Sequence, residues 1–345
     1  MRNFKRLIAW TIIAVLIECG GFIFLEKVYF STDLDVKFEK AQNTVKDKVK
    51  EPEITFDEGI ENLMFSSDGK YGAYLENGQL KTISTKDKSE KTLNSNDGTV
   101  EFYKWLDNDS SLIVIKKVFE NGAHYYKPVA FDAKKGEEKE LSDFDFKSVK
   151  IKAAGSQGIS DVAFSTATHS IYIKVKKGPT TSDLYYANVM NELKLVKQNR
   201  KIGTVVVPIT NTNAVYEQLG AIHILNNKYA TQVPGVNNPV ILGTDDNANV
   251  YFGNEVNGKI KKIVYKDFSS NETEWKNYTL DNFVDKKDIY IDYSGKIYIN
   301  NESTSSALEL TTGKTIKYKG KLLQSYSAGL ISLDDNKLVK NKLND

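Results

Sequence analysis

Few side chains in this sequence are placed to do chemistry together. The three histidines, His124, His169 and His223, stand far apart with no metal-ligand spacing between them. The single cysteine, Cys19, lies inside an apolar run, which removes zinc ribbons, iron–sulfur sites and cysteine nucleophiles and leaves the remainder without disulfides. No G-x-S-x-G elbow, H-E-x-x-H pair, P-loop or dinucleotide-binding glycine pattern occurs, so no catalytic residue, metal or cofactor is expected. The acidic turns Asp107-Asn108-Asp109 and Asp245-Asp246-Asn247 have residue types that suit calcium. Neither continues to the glycine and closing glutamate of an EF-hand loop, and Asp and Asn serve tight turns by backbone geometry alone.

Two places retain binding chemistry. Asn121 to Lys127 reads NGAHYYK. Adjacent tyrosines in a strand point to opposite faces, so Tyr125 or Tyr126 should be exposed beside Lys127, where it could stack on a sugar or pack a protein partner; a plain edge strand would look the same. The second place is Glu18, a carboxylate within LIAWTIIAVLIECGGFIFL, residues 7–25. A carboxylate inside a membrane span is costly, and Gly20 and Gly21 would let a second membrane helix approach it. The alternative is that Glu18 reaches the outer interface.

The run itself needs a reading. Arg2, Lys5 and Arg6 precede it, which favours a cytoplasmic amino end. As a helix it would rise roughly 28 Å, near the hydrocarbon thickness of a bilayer. Cys19 has the position of a lipoprotein cysteine, but Glu18 occupies the site where a small residue is required, and apolar sequence resumes at Phe22. A cleaved signal would be shorter and end in small residues. The expected organisation is therefore a cytoplasmic tail (1–6), a single transmembrane helix (7–25), a stalk (26–51) and an extracytoplasmic domain (52–345) at the plasma membrane.

The chain has 345 residues, 40% hydrophobic and 27% charged, with a net charge of +2. Its only arginines are Arg2, Arg6 and Arg200, which argues against nucleic acid as a partner. After Pro52 short alternating runs are separated by Asn, Asp, Gly and Ser clusters, an all-β pattern. Asp68-Gly69 and Asn77-Gly78 are the pairs that primed hairpin turns require, because their backbone needs positive φ. Turns of this kind recur near residues 68, 108, 167, 212, 246, 294 and 328, about 43 residues apart on average, the length of a four-stranded blade.

Phe65-Ser-Ser-Asp-Gly-Lys-Tyr71 resembles the FSPDGK motif of TolB-like (PD40-type, WD40-like) β-propeller repeats, with Ser67 in place of the usual proline. The resemblance implies a β-propeller, and the seven recurring turns predict seven blades, with six or eight as alternatives because the fourth repeat is short. The last repeat has room for only three strands, and residues 53–56 could supply the fourth and close the ring. The expected function is a non-catalytic binding or scaffold module at a bacterial cell envelope with a protein partner. The alternatives are a glycan-binding, lectin-like propeller and an enzyme or accessory subunit of a hydrolase, since TolB-like blades resemble the propellers that gate some serine peptidases.

Overall fold

The computed structural model describes Glu18 and residues 52–94, 97–107, 110–141, 149–155, 157–188, 191–269 and 274–343. Contacts divide the chain into Met1–Lys50 and Glu51–Asp345, and every strand among the described residues belongs to the second unit. Tail, membrane span, stalk, Gly20 and Gly21 lie outside the described residues; Glu18 is helical and exposed. Among the described residues no helix is long and apolar enough to cross a membrane.

The strands form seven antiparallel sheets, each drawn from one consecutive stretch. Blade 1 holds β1 (Glu61–Phe65), β2 (Tyr71–Glu76), β3 (Gln79–Ser84) and β4 (Glu90–Thr92). Blade 2 holds β5 (Thr99–Trp105), β6 (Ser111–Glu120), β7 (Ala123–Asp132) and a split outer edge, β8 (Glu137–Glu140) and β9 (Ile151–Lys152). Blade 3 is β10 (Gly158–Ser165), β11 (Ser170–Lys176), β12 (Ser182–Asn188) and β13 (Asn191–Arg200). Blade 4 is β14 (Ile202–Val206), β15 (Val215–Gln218) and β16 (Ala221–Ile224), its fourth strand reduced to one bridge between Ile222 and Thr231. Blade 5 is β17 (Pro239–Thr244), β18 (Asn249–Val256), β19 (Lys259–Asp267) and β20 (Lys276–Asp285). Blade 6 is β21 (Ile289–Ile291), β22 (Ile297–Asn301), β23 (Ser306–Glu309) and β24 (Thr315–Lys317). Blade 7 is β25 (Lys321–Tyr326), β26 (Gly329–Asp334) and β27 (Lys337–Lys342). All seven turns read from the sequence fall between the first and second strands of their own blade, and the first strands pack side by side around a common axis. The fold is a seven-bladed β-propeller.

The two turns of blade 1 behave differently. Asn77 and Gly78 have φ of 51° and 75° and join directly paired Glu76 and Gln79, a two-residue primed turn. Asp68-Gly69 is not such a turn. Ser66 N–H donates to Tyr71 O at 2.9 Å, so the loop is four residues long, and only Gly69 is left-handed, at φ 69°. Asp68 acts through its carboxylate instead, accepting from Ser66 Oγ at 2.7 Å and Lys70 N–H at 2.9 Å.

The core is divided among the interfaces between blades. Seven apolar clusters occupy the seven interfaces. Strand alternation makes this work: in β6, Leu112 and Val114 pack toward blade 1 while Ile113 and Ile115 pack toward blade 3. Both faces of the strand are buried, which is why it reads as the unbroken run LIVI. Blade 7 gains its outer strand from the other end of the unit. Thr55 pairs antiparallel with Lys337, Phe56 N–H donates to Asn336 O, and Leu338 N–H donates to Ile54 O, both at 2.9 Å. Ile54 and Phe56 then enter the cluster between blades 7 and 1, where the Phe56 ring meets Phe65 and Tyr74 edge-on at 6.2 and 5.5 Å.

Two outcomes test this arrangement. Phe56→Ala removes a buried ring at the ring closure and should cost about 3–5 kcal/mol in denaturant unfolding. In blade 6 the buried Glu309 accepts Thr311 N–H and Thr312 N–H, each at 2.8 Å. Burial pushes its carboxyl up, but the Thr312 hydroxyl and these N–H groups outweigh that and hold it below the usual range. A depressed folded-state pKa gives stability that is complete above the unfolded value of about 4.3 and is lost as pH falls through the folded value. Glu309→Gln should therefore cost about 1–2 kcal/mol at neutral pH, and the gap in melting temperature should close in acid.

Candidate functional site

In an antiparallel four-stranded blade, the turns between second and third strands share one face of the ring with the blade-to-blade connections. This upper face carries two grooves. One lies over blade 2, with a volume of about 620 Å3, beside Asp97, Glu101, Lys117, Phe119, Glu120 and His124. The other lies between blades 3 and 4, with a volume of about 560 Å3.

The blade 2 groove contains the tyrosine segment singled out in the sequence. Its hairpin turns on Asn121-Gly122, with φ of 50° and 75°. Phe119 is 66% exposed and lies across the pair from His124, ring centres 5.0 Å apart. The tyrosines do alternate, but Tyr126 is only 1% exposed and donates its hydroxyl to Gln157 O at 2.6 Å, so it offers no surface to a ligand. Tyr125 is half-buried, with the Lys150 ammonium 4.7 Å from its ring. Lys127 is bound to Glu120 at 2.9 Å and Glu140 at 3.1 Å. Nor is β7 an edge, because β6 pairs on one side and β8 and β9 share the other. Lys116 stands directly opposite Lys127 and is buried. Two ammonium groups across one strand pair repel unless compensated, and here Asp97, Glu138, Glu120 and Glu140 do so. The charges of this hairpin are consumed by its own fold.

The groove between blades 3 and 4 differs. Tyr172, Lys174 and Lys176 lie on one face of β11, two residues apart, and all three turn toward blade 4. Tyr172 is buried and donates to Thr212 O at 2.7 Å. Lys174 donates to Gly203 O at 2.7 Å. Burial pulls the Lys174 ammonium below the usual lysine range, with Asp161 and Glu217 opposing that shift. Lys176 and Lys201 reach the groove at its upper margin, where both are exposed and neither has a carboxylate partner among the described residues. Glu217 forms the floor. Its carboxylate accepts Ile241 N–H of blade 5 at 2.6 Å and Thr204 N–H at 3.1 Å, and Lys286 stands 3.6 Å away. A side chain at Gly203 would displace this carboxylate, since a Cβ there would lie 2.1 Å from Glu217 Oε2. Sequence reading missed this site because it joins strands of two repeats; the signal within reach was the same-face spacing of Lys174 and Lys176.

The lower face carries the acidic turns. The Asp245 carboxylate accepts Asn247 N–H, Asn249 N–H, the Asn249 side-chain amide and the Tyr251 hydroxyl at 2.6–3.0 Å. Its oxygens are used within its own turn. Burial pushes Asp107 up, while Asn108 and Asp109 lie outside the described residues. Among the described residues no group of three His, Cys, Asp or Glu side chains could hold a metal ion. The histidines sit apart: His124 on Phe119, His223 stacked on Tyr216 with ring centres 5.5 Å apart, and His169 in the blade 3 turn at φ 52°.

No known protein family matches the sequence, and no curated protein matches it. Solved structures do match. The β-propeller domain of Myceliophteria thermophila Cps50 (Swd1) superposes with a TM-score of 0.53 at 7% identity, over 83% of this chain and 98% of that one. Kluyveromyces lactis Hsv2p gives a TM-score of 0.47 at 13% identity, over 80% and 90%. The acylaminoacyl peptidase of Pyrococcus horikoshii gives 0.43 at 12% identity, over 79% of this chain and 49% of that one. Likeness at these identities is one of fold alone.

Substitutions should separate the floor of the lysine groove from its margin. Glu217→Ala strands two backbone N–H groups between blades 4 and 5 and should cost about 2–4 kcal/mol, with Glu217→Gln milder. Lys176→Ala and Lys201→Ala should stay within about 0.5 kcal/mol of the parent in the same denaturant titration.

Proposed function

We propose that this chain is a membrane-tethered, extracytoplasmic β-propeller that acts as a non-catalytic binding or scaffold module at a bacterial cell envelope. The observation that carries the reading is the composition of the upper face. Its two grooves expose Leu219 and Phe119, and Val256 and Phe283 are exposed elsewhere in blade 5, large apolar side chains that folding leaves in water. Exposed apolar groups among lysines describe a surface for another macromolecule better than a pocket for turnover of a small substrate. The scattered histidines support the non-catalytic part. The FSSDGK resemblance to TolB-like repeats and the residue 7–25 run with its preceding basic residues support an envelope location. In that setting Glu18, with Gly20 and Gly21 just after it, is the residue through which the span would meet a partner helix.

Crosslinking and pull-down of the full chain from native membranes test the reading. A specific partner should be recovered, and recovery should fall with Phe119→Asp plus Leu219→Asp on the upper face. Glu18→Leu should reduce recovery of any membrane-embedded partner. Hydrolysis of generic ester or peptide substrates by the purified chain would move the reading to an enzyme, and selective binding on a glycan array would move it to a lectin.

A further inference from the structure

Five blades join their second and third strands by two-residue turns, and four of these use polar pairs suited to the left-handed backbone. They are Asn77-Gly78, Asn121-Gly122, Asn257-Gly258 and Asp335-Asn336, all at positive φ. Blade 4 uses Leu219-Gly220, with φ of 53° and 76°. Leucine gains nothing in that conformation, which Asn adopts far more readily through its short polar side chain. Nor does it gain burial, being 76% exposed. A strained backbone holding an apolar side chain in water points to a contact absent from the isolated chain. Leu219 stands at the margin of the groove that also presents Lys176 and Lys201, and the one carboxylate there, Glu217, is already occupied by two N–H groups.

We propose that the groove between blades 3 and 4 docks an acidic segment of a protein partner, which sets carboxylates against Lys176 and Lys201 and an apolar side chain against Leu219. Charge complementarity commits the occupant to an anion, and Leu219 commits it to one with apolar side chains interspersed. Lysine suits such an occupant, since a flexible ammonium meets carboxylates in varied geometry where an arginine fork would demand one fixed arrangement. A volume of about 560 Å3 accommodates several side chains of an extended peptide. The inference rests on the binding-module reading and narrows it to one groove and one chemistry.

The test is fluorescence anisotropy with the full chain and a labelled peptide alternating glutamate with leucine. Saturable binding that weakens with added salt is expected. Lys176→Glu with Lys201→Glu should weaken it roughly tenfold or more, while Lys134→Glu with Lys135→Glu, on the lower turn of blade 2, should leave it unchanged. Leu219→Asn restores the usual turn pair, so it should hold or raise the melting temperature and still weaken the peptide several-fold. Absence of binding, equal binding by both lysine pairs, or equal binding of the peptide with glutamine for glutamate would overturn the proposal. So would a groove-dependent preference for inorganic polyphosphate or phosphatidylglycerol vesicles over the peptide. An envelope partner captured equally by the parent and by Lys176→Glu with Lys201→Glu would leave the binding-module reading standing and sink this one.

Discussion

A sheet that is apolar on both faces has no stable end except against another sheet. Every blade here meets that description, since alternate residues of strands such as β6 pack in opposite directions into two different clusters. Seven interfaces therefore have to close on themselves, and the closure is made by residues 54–56 lying against β27, nearly the whole length of the unit away. Ile54 and Phe56 seal the interface between the last blade and the first. That contact is the least local in the ring and follows synthesis of every other blade, so the order of folding is constrained by it.

Closure leaves a second requirement. The innermost strands pack side by side around the axis without forming a continuous ladder, so their backbone groups need partners from elsewhere. Neighbouring blades supply them through side chains. Lys104 donates to Val162 O at 3.0 Å, Lys174 to Gly203 O, Glu217 accepts from Ile241 N–H, and Gln324 both accepts Phe65 N–H and donates to Phe65 O. Second-strand tyrosines bridge blades in the same way at the lower turns, Tyr172 on Thr212 O and Tyr251 on Gly295 O. Lys104, Lys174, Glu217 and Gln324 are thus held by the ring, whereas Lys176 and Lys201 are exposed at the groove margin.

The ring was legible because its turns repeat. The positions near 68, 108, 167, 212, 246, 294 and 328 needed only the recurrence of turn-forming residues between apolar runs, and the short fourth repeat is the blade with a vestigial outer strand. What the sequence could not resolve was partnership across repeats. Tyr125 and Tyr126 were separable by strand parity, but which of them met the core depended on the interface with blade 3. Lys127 looked free because its carboxylates lie seven and thirteen residues away along a bent hairpin. Asp68-Gly69 looked like a primed turn because the residue pair is shared by turns of different length. The lysine groove spans β11, β14 and β15, and Leu219 becomes anomalous only once five hairpins are aligned in register.

The same alignment explains why the two faces differ. Except in blade 7, where Tyr326 pairs directly with Gly329, the turns between first and second strands are longer than two residues, and three of them are pinned by a carboxylate: Asp68 on Ser66 and Lys70, Asp245 on Asn247 and Asn249, Asp292 on Ser294 and Lys296. Those three carboxylates are spent on backbone N–H groups and hydroxyls. Two-residue primed turns need no such pin, because their conformation is fixed by the residues that adopt positive φ. The upper face is therefore freer to carry side chains that the fold does not require, and Leu219, Phe119 and the lysines of the groove margin are found there. In blades 1, 4 and 5 the upper turn has two residues and the lower turn is longer, so the side chains that pin a turn lie on the lower face of those blades.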